Sequence, residues 1–379
     1  MNYLVTGATG LIGSHTLFHL LQDQISSRNS NKIYVLVRVN HSDSADEPVR
    51  SLLNSVDLPA SLKAYSVEEM MSHIKVLEGD LLNSSLSNTL QDLNTPDTIV
   101  IHCAASTNLF HGEVATKDVK TNNYEGTIQL AKAIKNCAKF VFVSTAYSFG
   151  MQTEPISDDY FSVKENQFRN SYEQYKNKVE GWLIEYFDSR VKIARPSIVC
   201  GRLLDAPLYV TSKFDVIYGW GKFFYKMKHK VEEMSMRIHM DFENEINVIP
   251  VDYFVKVMMQ FAHSERHQAL NIVNKVPIKG TQLFGRILEV LEVTCFEFVK
   301  DYPQNQNPIE KAFYKSAGDA FSPYTSRKNV KYNTSRLDEY DQGLDFPEIM
   351  TALPKLFGLA LERKFTDGYI TNTTLSVPV

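Results

Sequence analysis

The stretch that decides the fold is Thr6-Gly7-Ala8-Thr9-Gly10-Leu11-Ile12-Gly13. The apolar run Tyr3-Leu4-Val5 leads into it, and a segment with apolar residues at helical spacing follows it to Leu21. A glycine-rich turn between a strand and a helix is typical of dinucleotide sites, because free N–H groups at the positive helix end hold a pyrophosphate. The spacing is G-x-x-G-x-x-G rather than the commoner G-x-G-x-x-G, and three glycines also occur in ordinary turns. The assignment therefore depends on the rest of the chain.

Composition indicates a globular protein with a large core. The 379 residues are enough for a large α/β unit and a second, smaller one. The net charge of -4 gives no electrostatic reason to expect nucleic acid as a partner. The cysteines at positions 103, 137, 200 and 295 form no C-x-x-C pair, so neither a metal site nor a disulfide framework is indicated. No run of 18 apolar residues could span a membrane, and the first strand leaves no room for a signal peptide, so we expect a cytoplasmic protein.

Apolar runs and helical segments alternate over the first 200 residues, which predicts an α/β fold with a Rossmann-type doubly wound parallel sheet. Residues 39–73 are polar and predict a loop with one or two helical turns. From about residue 203 the regularity fades. We expect a dinucleotide-binding domain of residues 1–205, to which 246–265 return, and a smaller mixed α/β substrate-binding lid and C-terminal domain of residues 206–245 and 266–379. The predicted strands after the first are 32–37, 74–77, 98–102, 140–143, 191–194 and 246–249.

Predicted cofactor contacts lie at the strand ends, because ligands of open α/β sheets bind outside the carboxyl ends of the strands. Arg38 follows the second strand, where a cation suits a ribose 2′-phosphate and an acid would suit a 2′-OH, so NADP (as NADPH) is favoured. The alternative is an exposed arginine without a ligand. His102 is expected to be a packed core histidine. The predicted cofactor-binding residues are Gly7, Thr9, Gly10, Leu11, Ile12, Arg38, Asp80, Leu81, Ala104, Ala105, Ser144, Tyr172, Lys176, Pro196, Ser197 and Ile198.

Three residues are predicted to be catalytic: Thr145, Tyr172 and Lys176. Tyr172 and Lys176 are four apart on a predicted helix and share a face. A free tyrosine has a pKa of about 10, so a nearby ammonium is expected to lower it until the phenol exchanges protons near neutral pH. Thr145, at a strand end, is expected to hydrogen-bond the same substrate oxygen, and Asn123 to support Lys176 through water. Tyr175 with Lys178 is the local alternative, but these two are three apart on another face.

Taken together, these motifs resemble the extended short-chain dehydrogenase/reductase family over roughly residues 1–260. The resemblance implies a Rossmann domain with Thr145, Tyr172 and Lys176 as the catalytic centre. Parts of it look most like the thioester reductase and fatty acyl-CoA reductase (male-sterility-like) branch, which implies NADPH-dependent reduction of an acyl thioester, on CoA or an acyl carrier protein, to an aldehyde or alcohol. The segments that carry the resemblance are Gly7–Gly13, Leu36–Arg38, Gly79-Asp80, Asn123–Thr127, Ser144-Thr145, Tyr172–Lys176, Arg195–Val199 and Asn247–Asp252.

Two alternatives stay open. Nucleotide-sugar epimerases and dehydratases of the same family usually carry Asn-Val-Tyr-Gly after the sixth strand, whereas this chain has Ile198-Val199-Cys200-Gly201. An apolar residue in place of that Asn counts against a UDP-sugar, and an alcohol dehydrogenase of the same fold belongs to this alternative. The other is a non-catalytic NADP-binding regulator, against which the complete Thr145, Tyr172 and Lys176 set argues. Tyr175 also departs from the family, which tends to carry Ser there.

A basic and aromatic segment lies in the expected lid. Its cations could dock CoA phosphates or an acidic carrier protein, although a solvated helix face is the simpler interpretation. Its aromatic residues could line an acyl channel or belong to the core. The cations are Lys222, Lys226, Lys228, Lys230 and Arg237, and the apolar residues are Phe223, Phe224, Tyr225 and Met227.

Overall fold

The computed structural model describes residues 1–27, 31–38, 44–152, 154–328 and 331–371. None of the helices within these ranges has the length and apolar character needed to cross a membrane. The strands are β1 Asn2–Thr6, β2 Ile33–Val37, β3 Ile74–Glu78, β4 Thr98–His102, β5 Lys139–Val143, β6 Val191–Pro196, β7 Ile198–Cys200, β8 Met236–His239, β9 Glu245–Ile246, β10 Val248–Pro250, β11 Ala269–Ile272, β12 Ile278–Lys279 and β13 Phe296–Val299. The α-helices are α1 Leu11–Ser27, α2 Glu47–Leu53, α3 Val67–Ser72, α4 Leu86–Thr89, α5 Glu113–Val119, α6 Gly126–Ala133, α7 Ser171–Phe187, α8 Ile217–Met234, α9 Val251–His263, α10 Gly280–Val290, α11 Pro308–Tyr314, α12 Ala317–Thr325 and α13 Ile349–Glu362.

Seven parallel strands form one sheet in the order β3-β2-β1-β4-β5-β6-β11. The order reverses between β1 and β4, which opens a crevice at the carboxyl ends of these strands. The predicted Rossmann-type sheet is therefore confirmed. Two local predictions differ in detail. The predicted strand 246–249 is split between β9 and β10, which pair with different partners, and the described part of 39–73 contains α2 and α3.

The strands are apolar throughout because helices cover both faces of the sheet. Successive side chains point to opposite faces. Leu4 and Phe140 belong to a core cluster with residues of α6 and α7, whereas Val5 and Val141 belong to one with residues of α1 and α9. Continuous apolar runs such as Tyr3-Leu4-Val5 are the consequence.

The glycine turn allows α1 to start directly against the sheet. Gly7 has φ +67°, a conformation that side-chain-bearing residues rarely adopt, and a Cβ there would lie 2.7 Å from the Ala104 backbone nitrogen. A Cβ on Gly13 would collide with the Gly7 carbonyl. These two glycines therefore place the first turn of α1 over the ends of β1 and β4.

A second apolar core is built from residues of β7 and of the chain that follows it. Trp220 and Phe224 of α8 pack in it with Phe284, Phe313 and Phe357. The predicted domain boundaries at 205/206 and 245/246 stay predictions.

The basic segment in α8 and β8 is largely engaged within the chain. Lys222 donates to the Phe365 carbonyl, Lys228 pairs with Glu292, and Arg237 forms a two-pronged pair with Glu310. These contacts favour the interpretation as a helix face over a docking surface. Phe223, Phe224 and Met227 belong to or pack on the second core, and Tyr225 lies 5.3 Å from the Phe365 ring. They are not among the residues that line the cavity at the carboxyl ends of the sheet, so the structure favours the interpretation that they belong to the core.

Residues 365–371, which we name the C-terminal strap, connect distant parts of the fold. Asp367 accepts from Phe214 N (2.9 Å) and pairs with Lys213 (3.2 Å), and Gly368 N donates to Ser212 O. The Tyr369 hydroxyl lies 2.5 Å from Ser14 Oγ in α1. The strap therefore joins α1 to the segment that precedes α8.

Candidate active site

A cavity of about 280 Å³ opens at the carboxyl ends of β1, β4, β5 and β6. Its wall contains most of the residues predicted from the sequence, brought together from five separate segments. The remaining wall comes from later parts of the chain that the sequence did not indicate. The predicted residues that line the cavity are Gly7, Gly10, Leu11, Ile12, Ala105, Ser144, Thr145, Tyr172, Lys176, Pro196, Ser197 and Ile198.

Five predicted cofactor residues lie outside this wall. Thr9 is exposed on the turn, and the Ala104 backbone packs against Gly7. Leu81 lies beside Gly126. Arg38 and Asp80 meet at the ends of β2 and β3, with 3.9 Å between Nη1 and Oδ2. Both side chains are partly exposed, so this edge of the sheet is open to a polar ligand.

The first turn of α1 has the geometry of an anion site. Gly10 N donates to Gly7 O and Ser14 N donates to Gly10 O, both at 2.9 Å. The N–H groups of Leu11, Ile12 and Gly13 lie in the first helical turn, where no intrahelical acceptor exists. No acidic residue lies in this turn, and all three residues line the cavity. The residues present therefore fit the pyrophosphate of a dinucleotide.

Lys176 is almost completely buried beneath the cavity, with 2% of its surface exposed. Its Nζ donates to the Val143 carbonyl at 2.7 Å and lies 4.6 Å from the centre of the Phe142 ring. The Tyr172 ring centre is 5.9 Å away. Burial lowers the pKa of Lys176 to about 8, because the low-dielectric surroundings disfavour the charged form.

Tyr172 lines the cavity, but its acidity differs from the prediction. The surrounding protein raises the pKa of the phenol above its usual value, and the neighbouring Glu173 carboxylate adds to the rise. The expected lowering of this pKa by Lys176 is therefore wrong, since loss of hydration dominates the shift. The phenol keeps its proton and can serve as a donor. Tyr175 instead lies 5.9 Å from the Tyr124 ring, outside the cavity wall.

The β5 end fixes two hydroxyls in different roles. Thr145 Oγ1 accepts from Tyr147 N at 3.2 Å, which leaves its proton free to donate into the cavity. Ser144 Oγ donates to Glu180, and Glu180 accepts from Arg195 Nε at 3.0 Å and Nη2 at 2.7 Å. Glu180 and Arg195 are completely buried. Sequence reasoning missed this pair, although an acid four residues after Lys176 on the same helix face was a usable signal.

Two other polar residues near the site have structural partners. His102 Nδ1 lies 2.6 Å from Thr6 Oγ1 and Nε2 lies 2.8 Å from Thr127 Oγ1. Burial lowers the pKa of His102 to about 3, so it is the packed neutral core residue that was predicted. Asn123 lies in a π-helical turn, Lys120–Glu125. Its side-chain amide exchanges two hydrogen bonds with the Ser106 backbone, and so it holds the segment that follows β4. The water-mediated support of Lys176 stays a prediction.

The rest of the cavity divides into an apolar interior and a polar mouth. Ile217, Trp220, Ile246 and Phe284 are buried and line the interior. At the mouth the wall is formed by the exposed residues Thr107, Lys213 and Asp215. Sequence reasoning missed them because they belong to segments far apart in the chain, without a motif of their own.

Residues 5–258 match the family described as Male sterility protein, whose domains bind NAD. The chain belongs to this family. Membership confirms the predicted position in the extended short-chain dehydrogenase/reductase family, next to fatty acyl-CoA reductases. Membership in a family whose domains bind NAD supports a nicotinamide dinucleotide as the cofactor. The chain spans about a quarter of the length of the fatty acyl-CoA reductases that it matches, and the glycine turn as the cofactor site stays a prediction.

Similar proteins of the male sterility family and its neighbours differ in activity. Fatty acyl-CoA reductase 1 of Mus musculus is 28% identical over 151 residues, which are 39% of this chain and 28% of that protein. A thiolation-reductase di-domain from an archaeal non-ribosomal peptide synthetase superposes with a TM-score of 0.66 at 19% identity, covering 97% of this chain and 76% of the other. UDP-glucuronic acid 4-epimerase from Bacillus cereus, in complex with UDP-glucuronic acid and NAD, has a TM-score of 0.62 at 17% identity, covering 96% and 100%. The two structures share the fold.

Proposed function

We propose that this protein uses NADPH to reduce an acyl thioester, carried by CoA or an acyl carrier protein, to an aldehyde or alcohol. One observation carries the proposal: a single cavity joins the glycine turn, the group of Thr145, Tyr172 and Lys176, and an apolar interior around Trp220 and Phe284. Such an interior favours an alkyl chain over a sugar, because buried sugar hydroxyls need polar partners. The names of the mouse relative and the archaeal di-domain support the thioester.

The rival substrate, a nucleotide sugar, is supported by the names of sugar-nucleotide dehydratases among the similar sequences and of epimerases among the similar structures. Ile198 lies at the position where epimerases usually carry the Asn that binds the sugar nucleotide, and both Ile198 and its neighbour Val199 line the cavity. An apolar pair there offers the sugar no hydrogen bond. A cytoplasmic location and the predicted domain boundaries are kept as parts of this proposal.

The proposed chemistry uses two side chains on the carbonyl oxygen and a third that supports one of them. The reduced nicotinamide, when bound, supplies a hydride to the carbonyl carbon. Thr145 donates a hydrogen bond to the oxygen and orients it, and Tyr172 transfers its proton to the oxygen as negative charge develops there. The resulting hemithioacetal then breaks its C–S bond, which releases the aldehyde and the free thiol of the carrier. The Lys176 ammonium stabilises the phenolate that Tyr172 becomes. The donors lie in a partly desolvated pocket, where such charge stabilisation is stronger than in water.

The test of this function is NADPH absorbance with a panel of acyl-CoAs, aldehydes, ketones and UDP-sugars. We expect NADPH to be oxidised when a thioester is added. If the reduction continues to the alcohol, aldehydes should be substrates as well. Oxidation by ketones but not thioesters would point to an alcohol dehydrogenase. If NADPH binds but no substrate causes its oxidation, the non-catalytic regulator would be favoured.

Arg38→Asp is expected to shift cofactor preference from NADPH toward NADH. Arg38 is partly exposed at the end of β2, where the ribose 2′-substituent of a dinucleotide lies in this fold. A carboxylate there would repel a 2′-phosphate and accept from a 2′-OH. The ratio of kcat/KM for the two cofactors measures the change. The control is Lys75→Asp, the same charge change near the opposite end of neighbouring β3. A ratio unaltered by Arg38→Asp would place the 2′-phosphate elsewhere.

Activity is expected to fall above pH 8 because of Lys176. Its pKa of about 8 means that the ammonium is lost in alkaline solution, and with it the stabilisation of the phenolate. We expect kcat/KM to decline toward a tenfold loss per pH unit above this value. Lys176→Arg keeps its charge and should remove the decline; if the same decline survives there, another group causes it.

The stability contribution of Lys176 should change in the opposite direction. Folding lowers its pKa from 10.5 to about 8, so between these values the unfolded chain binds more protons than the folded one. The contribution of this group to the free energy of unfolding therefore rises with pH across that window. A loss of activity without a parallel loss of stability distinguishes titration of the site from alkaline unfolding.

A further inference from the structure

The polar mouth of the cavity is formed by a conformationally constrained segment. Val216, which lines the cavity just before α8, has φ +49°. This is an uncommon and strained conformation for a β-branched residue. The strap fixes the segment from outside, through Asp367 to Phe214 N and through Gly368 N to Ser212 O. The position of Asp215, between these anchors and α8, is therefore defined by the fold.

The Asp215 carboxylate faces the cavity with unused acceptor capacity. Its Oδ2 accepts from Thr107 Oγ1 at 3.5 Å, a long contact. The adjacent Lys213 ammonium pairs with Asp367 instead, and Oδ1 accepts no hydrogen bond from any of the residues that the structure describes. Partial desolvation raises the pKa of Asp215, and the Asp367 charge adds to the rise. A ligand N–H would stabilise this carboxylate, whereas an alkyl chain or a second anion would not.

The place of Asp215 indicates which part of a thioester meets it. The buried interior around Trp220, Ile246 and Phe284 can receive the acyl chain. The thiol arm must then leave past the exposed mouth, because its carrier is too large to enter. A pantetheine arm carries amide N–H groups close to its sulfur, and an amide N–H is the donor that a carboxylate at the mouth can accept.

Resting on the proposed function, we propose that Asp215, supported by Thr107, accepts a hydrogen bond from the pantetheine amide and so selects pantetheine thioesters over other thioesters. Asp215 and Thr107 then determine specificity without taking part in the chemistry at the carbonyl. The same amide is present on CoA and on a carrier protein, so either source satisfies the contact.

Two thioesters of one acyl group test the assignment at a single atom. One is the N-acetylcysteamine thioester, and the other is the thioester of 2-acetoxyethanethiol, in which an oxygen replaces the N–H. The wild-type kcat/KM is expected to favour the amide by about tenfold or more, the scale of one hydrogen bond to a charged group. Equal values overturn the assignment and leave the proposed function intact, whereas no NADPH oxidation with either contradicts the proposed function itself.

Variants assign the effect to the residue. Asp215→Leu should bring the amide-to-ester ratio close to one, and Thr107→Val should reduce it. Glu233→Leu removes an exposed acid of α8 outside the cavity wall and should keep the wild-type ratio. The same acyl group is then compared on CoA and on a phosphopantetheinylated carrier protein. The thioester with the higher kcat/KM identifies which of the two presents the substrate, and Asp215→Leu should lower that kcat/KM about tenfold. An amide-to-ester ratio in Asp215→Leu that equals the wild-type ratio overturns the proposal.

Discussion

Tyr172→Phe is expected to reduce turnover by a factor of about 100 or more while NADPH affinity stays nearly unchanged. The change removes one hydroxyl from the wall of the cavity and leaves the ring in place. That hydroxyl is the proposed proton donor, and a lost general acid usually costs about 10² to 10⁴ in rate. Its raised pKa keeps the phenol protonated throughout the neutral range, so the wild-type protein should not lose this proton donor there. Steady-state kinetics and NADPH titration measure the two quantities separately.

The matched control is Tyr175→Phe, which removes the same atom three residues away. Tyr175 packs beside Tyr124 and Lys178 outside the cavity wall. Turnover should stay within about twofold of the wild-type value. If Tyr175→Phe were the damaging change and Tyr172→Phe the harmless one, the proton donor would have been assigned to the wrong tyrosine.

Glu180→Ala is expected to lower the free energy of unfolding by about 3–5 kcal/mol, the cost of leaving a buried charge without its partner. The change would leave Arg195, which is completely buried, without its ion-pair partner, and Ser144 Oγ without its acceptor. Because Ser144 precedes Thr145 at the β5 end, we also expect reduced turnover in the folded fraction. Urea unfolding followed by fluorescence measures the first effect.

A double variant and a control separate the cost of an unpaired buried charge from other effects of the substitution. Replacing both partners, Glu180→Leu with Arg195→Leu, should recover much of the lost stability, because a buried ion pair can often be exchanged for apolar side chains. Glu185→Ala changes an exposed acid of the same helix and should shift stability by less than about 0.5 kcal/mol. A loss below 1 kcal/mol in Glu180→Ala would mean that Arg195 finds another partner or water.

The Rossmann half of the fold was predictable because its information is local. The glycine turn, the continuous apolar strands and the positions of Tyr172 and Lys176 can all be read within short windows. The positive φ of Gly7 and the close packing of Gly13 explain why these sites require glycine. The second core was not predictable, since Trp220, Phe284 and Phe357 meet from helices far apart in sequence.

The candidate site was predicted on its cofactor side and missed on its substrate side. Thr107, Asp215 and Phe284 reach the cavity from three distant segments, and their residue types carry no local signal. The acidity of Tyr172 was mistaken for a different reason. Sequence spacing shows which charge is near a phenol but not how much water surrounds it, and here desolvation dominates.

The C-terminal strap determines how far the chain can be shortened without changing the cavity. Its Tyr369 hydroxyl reaches Ser14 in the nucleotide helix, and its Asp367 carboxylate anchors Phe214 beside the substrate entrance. Deleting the strap, residues 365–371, would therefore remove both of these contacts. The mouth of the cavity would then lose its connection to α1. A shortened chain could therefore still bind the dinucleotide and yet differ from the full chain in substrate selectivity.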